Sequence, residues 1–189
     1  VTERPIIFDA ASMRALLAGH KTQTRRLVHA RHLDHLADVP CPYGVPGDRL
    51  WCRETWGLHR HFDLTDWNRG PIRGDIRDDF YKWELDYRAD WMHEHEPNFW
   101  RSPISMPRWA SRLTLWLVEE RVERLQSISE SDARAEGFER ASGARGQMVP
   151  CPPPNARDAF AEAWDRINGK RAPWSSSPWV WVLGFRLVK

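Results

Sequence analysis

The chain has 189 residues, of which 41% are hydrophobic and 29% charged, and a formal net charge of +2. That length suits one domain, or one domain with a sizeable insertion. The near-even charge balance excludes a strongly polyanionic or polycationic protein, yet leaves room for a local basic patch, which matters more for nucleic acid than the total.

In chain order, Pro5-Ile6-Ile7-Phe8 reads as a short buried strand, and Asp9 is a good N-cap for a helix running to Ala18. Met13, Leu16 and Leu17 give that helix one apolar face, and Gly19 is its stop. A strand follows from Thr22 to Val28, with Thr22, Thr24 and Arg26 on one face and Gln23, Arg25 and Leu27 on the other. Gly47-Asp48 is a turn signal before a strand over 49–56. Residues 57–107 are charged, tryptophan-rich and irregular, with one strand at 81–89, and read as a decorated insertion.

The clearest strand region is 108–125, where Leu113, Leu115 and Leu117 alternate with Thr114, Trp116 and Val118; Val122 and Leu125 extend it past a bulge. Ser129-Glu130-Ser131-Asp132 resembles a capping box and starts a short helix ending at Gly137. Residues 138–154 are rich in Gly, Pro, Arg and Ser, the composition of a mobile loop. Asn155 caps a last helix with Phe160, Ala163, Trp164 and Ile167 on one face, closed by Gly169, and residues 179–188 form a terminal strand. The expectation is a single α+β domain with a curved sheet or barrel and three short helices.

Cys41, Cys52 and Cys151 are an odd number with no close pair, which argues against a disulfide framework and for a reducing compartment. With no secretory signal and no membrane-length apolar run, the expected location is the cytoplasm, with no membrane partner. The 12 tryptophans are expected mainly in the core, a minority serving as stacking surfaces.

The helix-to-strand junction carries "AGHKTQTRR", far more polarity than a helix stop requires. Together with "GVPGDRLW", "SISESDARAEGF" and the aromatic terminal strand, it resembles the ASCH family of the PUA-like superfamily. "YRAD", "MPRWASR" and "NGKRAPW" resemble the larger ASCH proteins of phages and prophages. The resemblance implies a PUA-like β-barrel with short flanking helices over the whole chain. It also implies, by likeness to N4-acetylcytidine amidohydrolases, a catalytic set of Lys21, Thr24 and Glu136 with no metal or other cofactor.

The chemistry is coherent with those residue types. Amide cleavage needs a nucleophile, a base and oxyanion stabilisation. A threonine hydroxyl needs a base beside it, and a lysine serves only where desolvation or nearby cations favour its neutral form. Glu136 falls at a helix C-terminus, where the dipole disfavours a carboxylate and suits a proton carrier. Lys21 and Thr24 would face opposite ways in one regular strand, so they cooperate only if Lys21 precedes the strand. The plainer alternative is that Lys21 favours a helix C-terminus and the threonines suit a strand.

Arg25, Arg26, Arg53, Arg108 and Arg112 are candidates for a basic groove contacting a modified nucleoside or RNA; the alternative is solvation and salt bridging. Trp51, Trp56 and Trp109 are candidate stacking platforms, or core. Glu54 is a candidate second acid, or a partner of Arg53 or Arg112. His29, His32 and His35 with Cys41 invite a metal, but their spacing is no zinc signature. A binding module without chemistry and a ribonuclease stand beside the amidohydrolase.

Overall fold

The computed structural model describes residues 1–29, 38–60, 83–91, 100–138 and 155–188. A five-stranded sheet runs β1 (Glu3–Ile7), β3 (Arg49–Arg53), β6 (Thr114–Arg124), β7 (Trp179–Leu187) and β2 (Gln23–Leu27). The pair β1–β3 is parallel and the others are antiparallel. A hairpin of β4 (Trp56–Arg60) and β5 (Trp83–Tyr87) forms a second, two-stranded sheet. Helices α1 (Ala10–Leu17), α2 (Glu130–Ala135) and α3 (Ala156–Asn168) complete the α+β arrangement.

Each helix starts where its capping residue dictates. Asp9 accepts from Ser12 N, Ser129 from Asp132 N and Asn155 from Asp158 N, supplying partners for otherwise orphaned amides. One face of the sheet packs Ile6, Leu50, Leu115, Leu117, Leu183 and Phe185 against Met13 and Leu16 of α1. On the opposite face, Val180 and Val182 pack under Ala133 of α2 and Phe160 and Trp164 of α3. β7 therefore carries buried side chains on both faces, the pattern of a central strand between two layers.

Several expectations change. The sheet does not close into a ladder-bonded barrel: β1 and β2 are its two edges. A side chain spans that seam instead, the Arg26 guanidinium donating to Ile7 O at 2.5 Å while lying over Phe8. The strand expected over 49–56 breaks at Glu54-Thr55, since β4 must leave the main sheet to pair with β5. Arg108 and Trp109 lie in a 3-10 turn, Arg108–Ala110, ahead of β6. β6 does pass its bulge, between Leu117 and Glu119. Leu17 is 42% exposed and Ile167 69%, because each apolar stripe is narrower than its spacing suggested. The loop expected over 138–154 lies outside the described residues apart from Phe138, and so does the middle of the 57–107 insertion.

Candidate active site

Two helix ends meet at the polar junction. Helix α1 closes at Gly19, whose φ of +76° is costly for any residue with a Cβ. The amides of His20 and Lys21 then turn back to Ala15 O, at 2.9 and 3.1 Å. Helix α2 ends at Glu136 and Gly137, the latter at φ +92°. A Cβ on Gly137 would sit 3.0 Å from the Ala15 Cβ, so the glycine also permits the close approach of the two helix ends. The chain segments join through an isolated antiparallel bridge between Lys21 and Glu136, and Thr22 N donates to Ala135 O at 2.8 Å.

This backbone arrangement brings together two side chains 115 residues apart. Lys21 Nζ donates to Glu136 Oε2 at 2.7 Å and to Glu136 O at 2.8 Å. Both side chains are almost wholly buried, 4% and 3% exposed. The ammonium thus satisfies the last-turn carbonyl of α2 and its carboxylate at once, where the helix dipole favours a cation. β2 starts only at Gln23, so Lys21 stands before the strand, the condition under which it can cooperate with Thr24.

Arg25 holds the second carboxylate oxygen. Its Nη1 reaches Glu136 Oε1 at 3.3 Å and Gln23 Oε1 at 2.7 Å. Its Nη2 donates to Glu123 Oε1 at 2.6 Å and Asp132 Oδ2 at 3.1 Å, and Nε to Glu123 Oε1 at 3.1 Å. Arg121 binds the outer oxygen of Glu123 and also Asp132, each at 3.2 Å. A chain of alternating charge therefore runs from Lys21 through Glu136, Arg25 and Glu123 to the half-buried Arg121. The fully buried Arg25 guanidinium has a carboxylate on each side, as a charge in a low-dielectric interior requires.

Thr24 occupies the other face of β2. It lies opposite Leu183, as Arg26 lies opposite Trp181, so both point to the main core. Phe8 is common ground: Lys21 Nζ lies 6.0 Å and Arg26 Cζ 5.0 Å from its ring centroid. Thr24 is 4% exposed. Lys21 and Glu136 thus meet ahead of β2, with the carboxylate under α2, whereas Thr24 lies on the core face of the strand.

The other candidates fall elsewhere. Glu54, 1% exposed, is bound bidentately by Arg112 at 2.9 and 3.0 Å. Arg112 also binds Asp90 and lies 4.0 Å from the Tyr87 ring centroid. Burial pushes the Glu54 carboxyl above its ordinary value, against the pull of Arg112. Trp56 is core, packed with Met106 and Ala110 and edge-on to Trp109, which is 40% exposed. Arg108 is paired with Glu3 and lies over Trp51, as does Arg53. The five arginines therefore do not line one groove: Arg25 lies beneath the helices, Arg112 beside the hairpin, and Arg26, Arg53 and Arg108 around the β1–β3 edge.

Of the histidine group, His32 and His35 lie outside the described residues and His29 is exposed. Cys41 and Cys52 are free and buried, and burial pushes their thiols up to about 11 and about 12. Among the described residues no three metal-binding side chains cluster, and no helix is long and apolar enough to cross a membrane.

Sequence reasoning missed Gln23, Glu123, Asp132 and Arg121. Alternation placed Gln23 beside Arg25, and Arg121 and Glu123 share a face by the same rule. The missing information was the β2–β7–β6 strand order that carries one set under the other.

No family model matches the chain, and no curated protein matches it in sequence. Three solved structures align with it at low similarity. An ASCH domain from Lactobacillus crispatus aligns over 98% of this chain and 79% of its own, at 10% identity and a TM-score of 0.43. A hypothetical protein, PH0355, aligns over 99% and 100%, at 7% identity and 0.43. A protein from Enterococcus faecalis aligns over 100% and 80%, at 11% identity and 0.44. Likeness of this degree assigns no chemistry to the chain.

Proposed function

We propose that the chain is a metal-independent amidohydrolase that removes an acyl group from a modified cytosine-type base, N4-acetylcytidine being the simplest example, with Lys21, Thr24 and Glu136 as its catalytic residues. The observation that carries the reading is the buried 2.7 Å contact between Lys21 and Glu136, made across 115 residues at the end of the strand that bears Thr24.

A proton passed from Lys21 to Glu136 leaves a neutral amine and a neutral carboxylic acid. The amine takes the Thr24 proton as Oγ attacks the acyl carbon. The acid protonates the departing exocyclic amine of the base. That step restores the Lys21 ammonium and the Glu136 carboxylate. Water then cleaves the acyl-threonine ester, its hydroxyl going to the released carboxylic acid and its proton restoring the Thr24 hydroxyl. The balance is amide plus water giving amine plus carboxylic acid. Lysine suits this exchange where arginine does not, because it can release a proton.

A second reading, a base-binding module without chemistry, draws on the full charge pairing around Glu136. Mass spectrometry of wild-type protein mixed with N4-acetylcytidine separates the two. Release of cytidine and acetate is the expected result. Binding without product would favour the module.

A further inference from the structure

One face of the five-stranded sheet is covered only in part. Val180 and Val182 of β7 lie on it beneath α2 and α3. Strand pairing puts Arg49, Trp51 and Arg53 of β3, Thr114 and Trp116 of β6 and Arg186 of β7 on the same face, outside the cluster the helices cover. Arg49 and Arg186 are exposed there, as is Ile7 opposite Arg53. On the covered part the cations are neutralised. Arg25 is bound by Glu123, Asp132 and Glu136, and Arg121 by Glu119, Glu123 and Asp132. On the open part Arg108 is paired with Glu3, whereas Arg49, Arg53 and Arg186 make no ion pair among the described residues.

Two indoles order these arginines. Arg53 and Arg108 lie over Trp51, at 4.5 and 5.8 Å from the ring centroid, and Arg49 and Arg186 over Trp116, at 5.7 and 5.9 Å. Such a contact holds a guanidinium above the sheet and leaves its hydrogen-bonding fork available. Arg53 also keeps a buried Nε–H without an acceptor, a donor that gains most from an incoming anion. Trp51 is 8% exposed beneath its arginines, but Trp116 is only half-buried and keeps part of its ring open.

We infer that this open sheet face binds single-stranded nucleic acid, the guanidinium forks taking successive phosphates and the Trp116 ring an unpaired base. Cations spread over three strands, each about 5 Å from the next, suit a chain of anions rather than one anion. An acidic peptide would use the forks and leave the ring idle, and a duplex keeps its bases stacked within itself. The inference is independent of the amidohydrolase reading, whose residues lie ahead of β2 and on the core face.

The test follows fluorescein-labelled dodecamers of deoxyuridine and of uridine binding to the whole chain by anisotropy, over a series of salt concentrations. With Arg49, Arg53 and Arg186 each on a phosphate, log K should fall against log salt with a slope of about −2, or about twentyfold between about 50 and about 200 mM. Arg49→Gln, Arg53→Gln and Arg186→Gln should each weaken binding about fivefold and flatten that slope by about 0.7. Arg171→Gln, which removes an exposed charge beyond the end of α3, should do neither. Arg49 and Arg186 are exposed, so their variants decide the matter even should Arg53→Gln fail to fold. An abasic dodecamer, with the phosphates alone, should bind about fivefold more weakly, and equal binding would overturn the role of Trp116. This pattern with either sugar supports the face. No binding, or glutamine variants that bind as the wild type does, overturns it. Tighter binding of a duplex or of oligoglutamate overturns the assignment to a single strand.

Discussion

Two buried carboxylates in this molecule are held by cations, and they are held differently. Glu54 has both oxygens taken by one guanidinium, that of Arg112, which is itself stacked on Tyr87 and tied to Asp90. Glu136 is shared: one oxygen goes to Lys21 at 2.7 Å and the other to Arg25 at 3.3 Å. The first arrangement is a planar bidentate fork that fixes the β4–β5 hairpin against the main sheet. The second leaves one oxygen in a longer contact and puts on the other a cation that can release its proton. Similar burial and similar charge thus give one carboxylate a single bidentate partner and the other two separate cations.

The largest expected effect that sharpens this contrast is on turnover. Thr24→Ala removes the proposed nucleophile and should lower kcat by about a thousandfold or more, near 4 kcal/mol of barrier. Thermal unfolding should move little, since the threonine makes no part of the ion-pair chain. A Thr24→Ala protein of full activity would remove that residue from the mechanism.

Next comes the bidentate fork. Arg112→Met leaves Glu54 buried without its partner and should cost about 3 kcal/mol of stability. For a chain of this size the melting temperature should fall by about 6 to 12 °C. The folded fraction should retain its turnover, and a large loss of kcat at unchanged stability would place Glu54 in the chemistry after all.

A smaller effect is expected at Glu123, whose Oε1 receives two of the Arg25 bonds. Glu123→Gln keeps the shape and removes the charge. It should lower kcat about tenfold through a looser Arg25, with about 1 kcal/mol of stability lost. A positioning role also predicts a displaced pH–rate profile, which a purely structural role would leave in place.

The smallest effect is on acid stability at Asp48. Its carboxylate accepts from Thr2 N at 2.7 Å and Val45 N at 3.2 Å, and these backbone donors pull it from an ordinary 3.8 down to about 2. A carboxylate depressed on folding contributes stability above its unfolded value and loses it as pH falls through the folded one. The contribution should disappear between about pH 4 and pH 2, and Asp48→Asn should flatten that limb of the unfolding curve.

Much of this was legible in the residues, and the illegible parts share a cause. Local signals were read correctly: Asp9, Ser129 and Asn155 cap their helices, and Gly19 and Gly137 stop theirs at positive φ. Period-two alternation placed Arg25 opposite in facing to Thr24 and Arg26. What alternation could not supply was which strand lies beside which. Glu123 and Asp132 reach Arg25 only because β7 separates β2 from β6 in the sheet and α2 returns over β2. The break at Glu54 was hidden for the same reason, since nothing local in Arg53-Glu54-Thr55 marks the point where the chain changes sheets.

The central claim is that the Lys21–Glu136 pair does chemistry rather than only joining two helix ends. The most direct measurement is cytidine release from N4-acetylcytidine by the wild type, Lys21→Met and Glu136→Gln, with the folded fraction of each fixed by thermal unfolding. The prediction is turnover by the wild type and a loss of at least a hundredfold in both variants when corrected to folded protein. A folded Lys21→Met protein releasing cytidine at the wild-type rate would contradict it.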